Sequence, residues 1–246
     1  MTTRYLKEYS RELDRDMEYK VFGEGGKLCL AFPPQNGRFY DFENFGMVET
    51  LRPWLDSRRV LLVCVDGIDG ETWSNEGGDP RSRIALQEKW FRYVTEELLP
   101  RAKALGGGDG KAIVTGCSMG GCHAGNFFFR RPDLFDTLVS LSGLFDAGYF
   151  FHGYMDDLVY QNSPIHFLRN MPEEHPYMAL YRASRIILCV GQGAWEDDLL
   201  EGTRALDALL REKGIPAWAD YWGFDVSHDW CWWQKQLPYF FDKLPL

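Results

Sequence analysis

The stretch Val114-Thr115-Gly116-Cys117-Ser118-Met119-Gly120-Gly121 decides how the rest of the chain is read. Residues 116–120 fit G-x-S-x-G, a pattern expected by chance in roughly one chain in ten of this length at average glycine and serine usage. The flanks sharpen that weak signal. "KAIVTG" (111–116) is a strand, and "SMGGCHAGNFFFRR" (118–131) reads as a helix stopped by "RPDL". A strand that runs into a helix through a glycine-flanked serine is a nucleophile elbow. The elbow holds its serine in a strained backbone conformation. Gly116 and Gly120 supply clearance, and Gly121, Ala124 and Gly125 keep one helix face small. The Met119 amide falls at the helix N-terminus, where it can donate to an oxyanion. Cys117 is intrinsically the better nucleophile, but it precedes the apex and is expected to point away.

Outward from the elbow, short apolar runs alternate with amphipathic segments. Strands are predicted at 16–23, 27–34, 59–67, 136–143, 185–191 and 216–223. Helices are predicted at 46–57, 79–105 and 196–214, with a Trp-rich helix, "DWCWWQKQLPYFFDKL", closing the chain. Runs such as "RVLLVCVDG" are apolar throughout, as in parallel strands covered on both faces. The pattern predicts an α/β fold, a mostly parallel sheet with helices on both faces. No repeat, low-complexity tract or linker divides residues 1–246, so a single domain is expected. Residues 144–184 break the alternation. This segment is rich in Tyr, Phe, Asn, His and Pro, and reads as a lid-like insertion or as a structural excursion with short helices.

Bulk properties narrow the function. The 246 residues carry a formal net charge of −9, and 45% are hydrophobic. A nucleic-acid binder needs a basic face, which this balance does not offer. No apolar run approaches a membrane span, and "MTTRYLKEYSRELDRDMEY" lacks the apolar core of a signal peptide. The six cysteines have no zinc-site spacing, and Cys29, Cys64 and Cys189 sit in apolar runs as small core residues. A reducing cytoplasm is the expected compartment. No metal or organic cofactor is implied, and nothing in the sequence specifies a subunit count.

A serine hydroxyl needs a base. His123 lies in the elbow helix and is expected to point elsewhere, packed or at the surface. His152, His166 and His175 fall in the 144–184 segment, as solvated loop residues or substrate contacts. His228 follows the last strand through "GFDVS" and precedes a helix, which makes it the expected base rather than a histidine merely buried in a Trp cluster. The orienting carboxylate should lie between serine and histidine in chain order. "QGAWEDD" follows the strand at 185–191 and offers Glu196, Asp197 and Asp198 at a sheet end where catalytic groups collect. Acidic residues also suit a helix start for dipole reasons, so the pattern leaves the three open. Glu201 lies a turn further on, and Asp225 and Asp229 are too near His228 in sequence. A second oxyanion donor is expected from "FPPQNGRFYDFENFG". Its prolines have no N–H, so Gln35 offers the first amide after Phe32. Asn36 is the alternative, although an Asn–Gly pair also reads as a plain turn.

"VTGCSMGGCHAGNFFFRRPDLFDTLVSLSG" resembles the putative esterase family of α/β-hydrolases, which includes enterochelin-type esterases, feruloyl esterases, S-formylglutathione hydrolases and mycolyltransferase antigens. "HDWCWWQKQLPYF" resembles the family's C-terminal H-D-W-x-x-W segment, which puts the catalytic histidine at His228. "CVGQGAWEDDLLEGTRALDALL" resembles the segment bearing the acid, and aligning its leucines puts that acid at Glu196. The resemblance covers nearly the whole chain. It implies an α/β-hydrolase fold and a serine hydrolase that cleaves a small-molecule carboxylic ester or thioester. The same residues serve acyl transfer to an acceptor other than water. A hydrolase fold also carries non-catalytic binding proteins. All three triad residue types standing in order favours the enzyme.

Overall fold

A computed structural model describes residues 1–246. Its strands are β1 (Thr3–Ser10), β2 (Arg15–Phe22), β3 (Lys27–Phe32), β4 (Val60–Val65), β5 (Ala112–Cys117), β6 (Phe135–Leu141), β7 (Arg185–Val190) and β8 (Trp218–Tyr221). They form one eight-stranded sheet in the order β1-β2-β4-β3-β5-β6-β7-β8. Strands β3 to β8 are parallel, while β1 and β2 add an antiparallel edge. The outermost strand, β1, was not anticipated. Its "TRYLKEYS" alternates exposed and half-buried residues, with charges on the solvent side. Edge strands are commonly charged in this way, which makes them look like a polar tail.

The helices are α1 (Asp41–Asn44), α2 (Met47–Thr50), α3 (Arg52–Asp56), α4 (Pro80–Arg92), α5 (Leu99–Ala102), α6 (Met119–Arg130), α7 (Asp157–Gln161), α8 (Pro164–Asn170), α9 (Pro176–Ala183), α10 (Asp197–Glu212) and α11 (Trp230–Phe241). The helix predicted over 46–57 is split into α2 and α3, because Pro53 has no N–H to carry the ladder through. The helix predicted over 79–105 is continuous but not uniform. π-helical stretches, Tyr93–Leu98 and Lys103–Gly107, flank α5. Pro100 lies in α5, and wider turns relieve the clash of its ring with the preceding turn. The 144–184 segment holds a 3-10 turn, Ala147–Phe151, followed by α7, α8 and α9.

Alternation along the strands builds a core on each face. Leu28, Leu30, Phe32, Leu61, Val63 and Val114 face a larger cluster with Trp90, Phe127 and Leu206. Cys29, Ala31, Leu62, Cys64, Ile113, Cys117 and Cys189 face the opposite way, against Trp54, Trp233 and Phe240. Helix α6 is buried from Met119 to Phe129, so it runs through the interior rather than over the surface. Phe127, Phe128 and Phe129 contribute about 2–3 kcal/mol each by apolar burial. Close packing at the helix start needs glycine. A Cβ on Gly116 would lie 2.3 Å from the Gly120 carbonyl, and one on Gly120 would lie 2.1 Å from Phe32 O. Both obstacles are backbone and cannot swing aside. Gly120→Ala is therefore expected to cost about 2 kcal/mol or more. A denaturant midpoint equal to that of the wild type would contradict this packing.

Candidate active site

The backbone turns sharply at Ser118, with φ 58° and ψ −124°. A non-glycine residue in that region costs about 1–3 kcal/mol. Two anchors hold it there. The Ser118 N–H donates to Leu141 O (2.9 Å), and the Ser118 carbonyl accepts from the Gly121 N–H (2.8 Å) at the start of α6. The result is a side chain raised at the carboxyl end of β5. Cys117, one residue earlier, is fully buried on the α11 side of the sheet, and burial pushes its thiol well above the usual range. Cys122, one turn into α6, lines the cavity beside Ser118, but burial pushes its thiol up to about 12. Neither thiol is primed as a thiolate.

His228 and Glu196 converge on this serine from two other loops. Ser118 Oγ and His228 Nε2 lie within hydrogen-bond distance, 2.8 Å apart. On the far side of the ring, His228 Nδ1 lies 3.4 Å from Glu196 Oε2. That is longer than an ordinary bond of about 2.9 Å. Both atoms are buried and have no other protein partner. The loops are joined edge to edge. The Gly193 N–H donates to Val226 O (2.8 Å), and the His228 N–H donates to Ala194 O (3.0 Å). Glu196 is the N-cap residue of α10 and only 1% exposed, and its Oε1 accepts from the Ser142 hydroxyl at 2.7 Å. The Trp233 indole N–H donates to Ser142 Oγ (3.2 Å), and its ring meets the His228 ring edge-on at 4.9 Å.

The neighbouring carboxylates are directed elsewhere. Asp197 lines the cavity, and Asp198 accepts from the Tyr149 hydroxyl at 2.8 Å. Asp229 caps α11. His123 is a packed histidine, 2.8 Å from Asp69. His152 ends a 3-10 turn, His166 contacts Ser163, and His175 caps α9. None of these four histidines lines the cavity.

The cavity beside Ser118 measures about 370 Å³ and is lined by Gln35, Met119, Cys122, Leu144, Tyr149, Phe150, Trp195 and Leu199, with Asp197 and Asp198 at its polar side. This volume suits a small ligand held by both apolar and polar contacts. The 144–184 segment contributes Leu144, Tyr149 and Phe150, all from its first part. Trp73 is packed in a cluster beneath, with Met119 and Phe151. Gln35 and Asn36 are the central residues of a turn closed by the Gly37 N–H on Pro34 O (2.8 Å). Gln35 shares the cavity with Ser118, whereas Asn36 lines a separate polar cleft with Arg15 and Arg38. Neither the Gln35 nor the Met119 amide donates to a protein acceptor. No three His, Cys, Asp or Glu side chains are grouped to hold a metal ion, and no helix is long and apolar enough to cross a membrane.

Two participants escaped the sequence reading. Ser142 follows β6 directly and has φ 52°. Its place at the carboxyl end of a parallel strand is the one signal that points to it. Trp233 lies in the H-D-W-x-x-W segment, and it packs on His228 and Ser142 rather than lining the cavity beside Ser118.

The fold recurs in known enzymes. A ferulic acid esterase superposes with a TM-score of 0.75 at 17% identity, over 97% of this chain and 95% of that one. The S-formylglutathione hydrolase of Staphylococcus aureus gives 0.73 at 14% identity, over 98% and 96% of the two chains. The enterobactin esterase of Shigella flexneri gives 0.64 at 18% identity, over 97% of this chain but 58% of that longer one. These likenesses show a shared α/β-hydrolase architecture. No curated protein sequence matches the chain. A family model described as "Putative esterase" matches residues 41–243, so the chain belongs to that family and is an esterase on the α/β-hydrolase fold.

Proposed function

We propose that the enzyme cleaves a small-molecule carboxylic ester or thioester through an acyl-enzyme on Ser118. The observation that carries this reading is the 2.8 Å contact between Ser118 Oγ and His228 Nε2 at a strained strand-to-helix apex. His228 Nε2 takes the hydroxyl proton as Ser118 Oγ bonds to the substrate carbonyl carbon. Glu196 holds the imidazole with Nδ1–H inward and stabilises the imidazolium that forms. The Met119 and Gln35 amides, free of protein acceptors, receive the oxyanion. The proton on Nε2 then passes to the leaving alcohol or thiol as the tetrahedral intermediate collapses. Water, activated by the same nitrogen, releases the acid and restores Ser118. Ser142 keeps Glu196 Oε1 occupied, so Oε2 is left for the histidine.

The cavity argues for a compact acyl or alcohol group next to the scissile bond. The ferulic acid and S-formylglutathione of the similar structures' names set two poles of a substrate panel. We assign the enzyme to a reducing cytoplasm, because its six cysteines are all unpaired. The test is turnover of short-chain p-nitrophenyl esters, methyl ferulate and S-formylglutathione, with and without added alcohol acceptors. Hydrolysis of at least one, with acid as the main product, is expected. Failure on every ester and thioester would refute the reading, and a predominance of transesterified product would reassign the enzyme as an acyltransferase.

A further inference from the structure

The two amides read as oxyanion donors belong to different segments. Met119 opens α6, and Gln35 sits in the turn after β3. Pairing of β3 with β5 and the close approach of Gly120 to Phe32 O bring the two segments together, and the turn beyond Pro33 that carries Gln35 has further contacts of its own. His123 lies one turn beyond Met119 in α6, and its Nε2–H donates to Asp69 Oδ1 at 2.8 Å. Both side chains are essentially buried, at 1% and 2% exposure. Asp69 begins the 3-10 turn Asp69–Glu71, and its carbonyl accepts from the Thr72 N–H (3.0 Å) and the Ser74 N–H (2.8 Å). Ser74 Oγ in turn accepts from the Gln35 side-chain amide at 2.9 Å. The same loop presses on the oxyanion turn, since a Cβ on Gly67 would lie 2.9 Å from Gly37 O. A continuous chain of contacts therefore leads from α6 through His123, Asp69 and Ser74 to Gln35.

Stability alone does not require the pair. The His123 ring sits among Trp90 at 4.9 Å, Trp73 at 5.5 Å and Phe32 at 6.2 Å. His123 Nδ1 and Asp69 Oδ2 find no protein partner, and Asp69 borders the polar cleft beside Asn36. Apolar residues of similar volume would often serve a core as well or better than a buried, half-satisfied pair. Neither residue lines the cavity, so neither contacts substrate there. We propose that the Asp69–His123 pair is a strut that sets the spacing of the Met119 and Gln35 amides, with both residues acting as positioning residues. The inference rests on the esterase reading and on those two amides as its oxyanion donors.

Removing the Asp69 side chain leaves His123 Nε2 buried and unpartnered and uncouples α6 from the Ser74 turn, whose bonds to the residue 69 carbonyl remain. A misplacement of about 1 Å can cost up to a hundredfold in rate. Asp69→Ala is expected to lower kcat at least about tenfold with KM within about twofold, a fraction of what loss of one whole oxyanion donor costs. The rate constant for inactivation by a fluorophosphonate should fall in parallel, because its phosphoryl oxygen uses the same two amides. Asp69→Asn keeps an acceptor in place and should recover most of both rates. If Asp69→Ala does not fold, Ser74→Ala removes the tether on Gln35 from a partly exposed position. It should lower kcat several-fold at an unchanged melting temperature. A wild-type kcat in whichever of these two variants folds overturns the strut alone. A wild-type enzyme inert to both esters and fluorophosphonate overturns the esterase reading and the strut with it.

Discussion

Ser118→Ala is expected to lower kcat/KM for any ester that the enzyme turns over by at least about a thousandfold, and to leave the fold intact. Loss of a serine nucleophile removes the covalent route and leaves only the residual rate from binding and oxyanion stabilisation. No neighbour is placed to take over. Cys117 faces the opposite core, and the Cys122 thiol is pushed up to about 12 by burial. Alanine tolerates the elbow about as well as serine, because both carry a Cβ at the same positive φ. The melting temperature should therefore change little. A variant that keeps a tenth or more of wild-type kcat/KM would mean that the chemistry lies elsewhere.

The second large effect belongs to Glu196. Glu196→Gln preserves volume at a site that is 1% exposed, but it presents an amide where the His228 Nδ1–H needs an acceptor. The wrong imidazole tautomer is then favoured, which in a comparable triad costs about ten-thousandfold in kcat. A loss of about a thousandfold or more is expected here, with KM nearly unchanged. Asp197→Asn should stay within about tenfold, because Asp197 touches the cavity and not the imidazole. The opposite ranking of the two variants would transfer the orienting role to Asp197. Ser142 supplies the reason for the expected order, since its hydroxyl holds Glu196 Oε1 and no hydrogen bond ties Asp197 to the histidine.

What could be read from the sequence follows from how local each signal is. The elbow is local: a six-residue buried strand, two glycines and a small-faced helix are contiguous in the chain. The parallel sheet is nearly so, since its apolar runs are each long enough to be seen alone. His228 was reached through the H-D-W-x-x-W resemblance and its place after the last strand. The choice among Glu196, Asp197 and Asp198 is different, because three adjacent carboxylates at a helix start look alike. The family resemblance points to Glu196 through the leucine register, and in the structure Glu196 lies beside His228 while Asp198 meets Tyr149. Ser142, Trp233 and the Asp69–His123 pair were beyond reach. Each depends on residues far apart in sequence meeting across the sheet end, as when Trp233 on α11 reaches Ser142 after β6. β1 was missed for the reverse reason, because an edge strand hides half of its alternation behind charged side chains.

Ser118 Oγ is the proposed nucleophile, and one measurement addresses that directly. The enzyme is incubated with a fluorophosphonate, digested, and the modified peptide sequenced by mass spectrometry, with Ser118→Ala treated alongside. The expected result is a single adduct on Ser118 and none on the variant. An adduct on any other residue, or equal labelling of the two proteins, would contradict it.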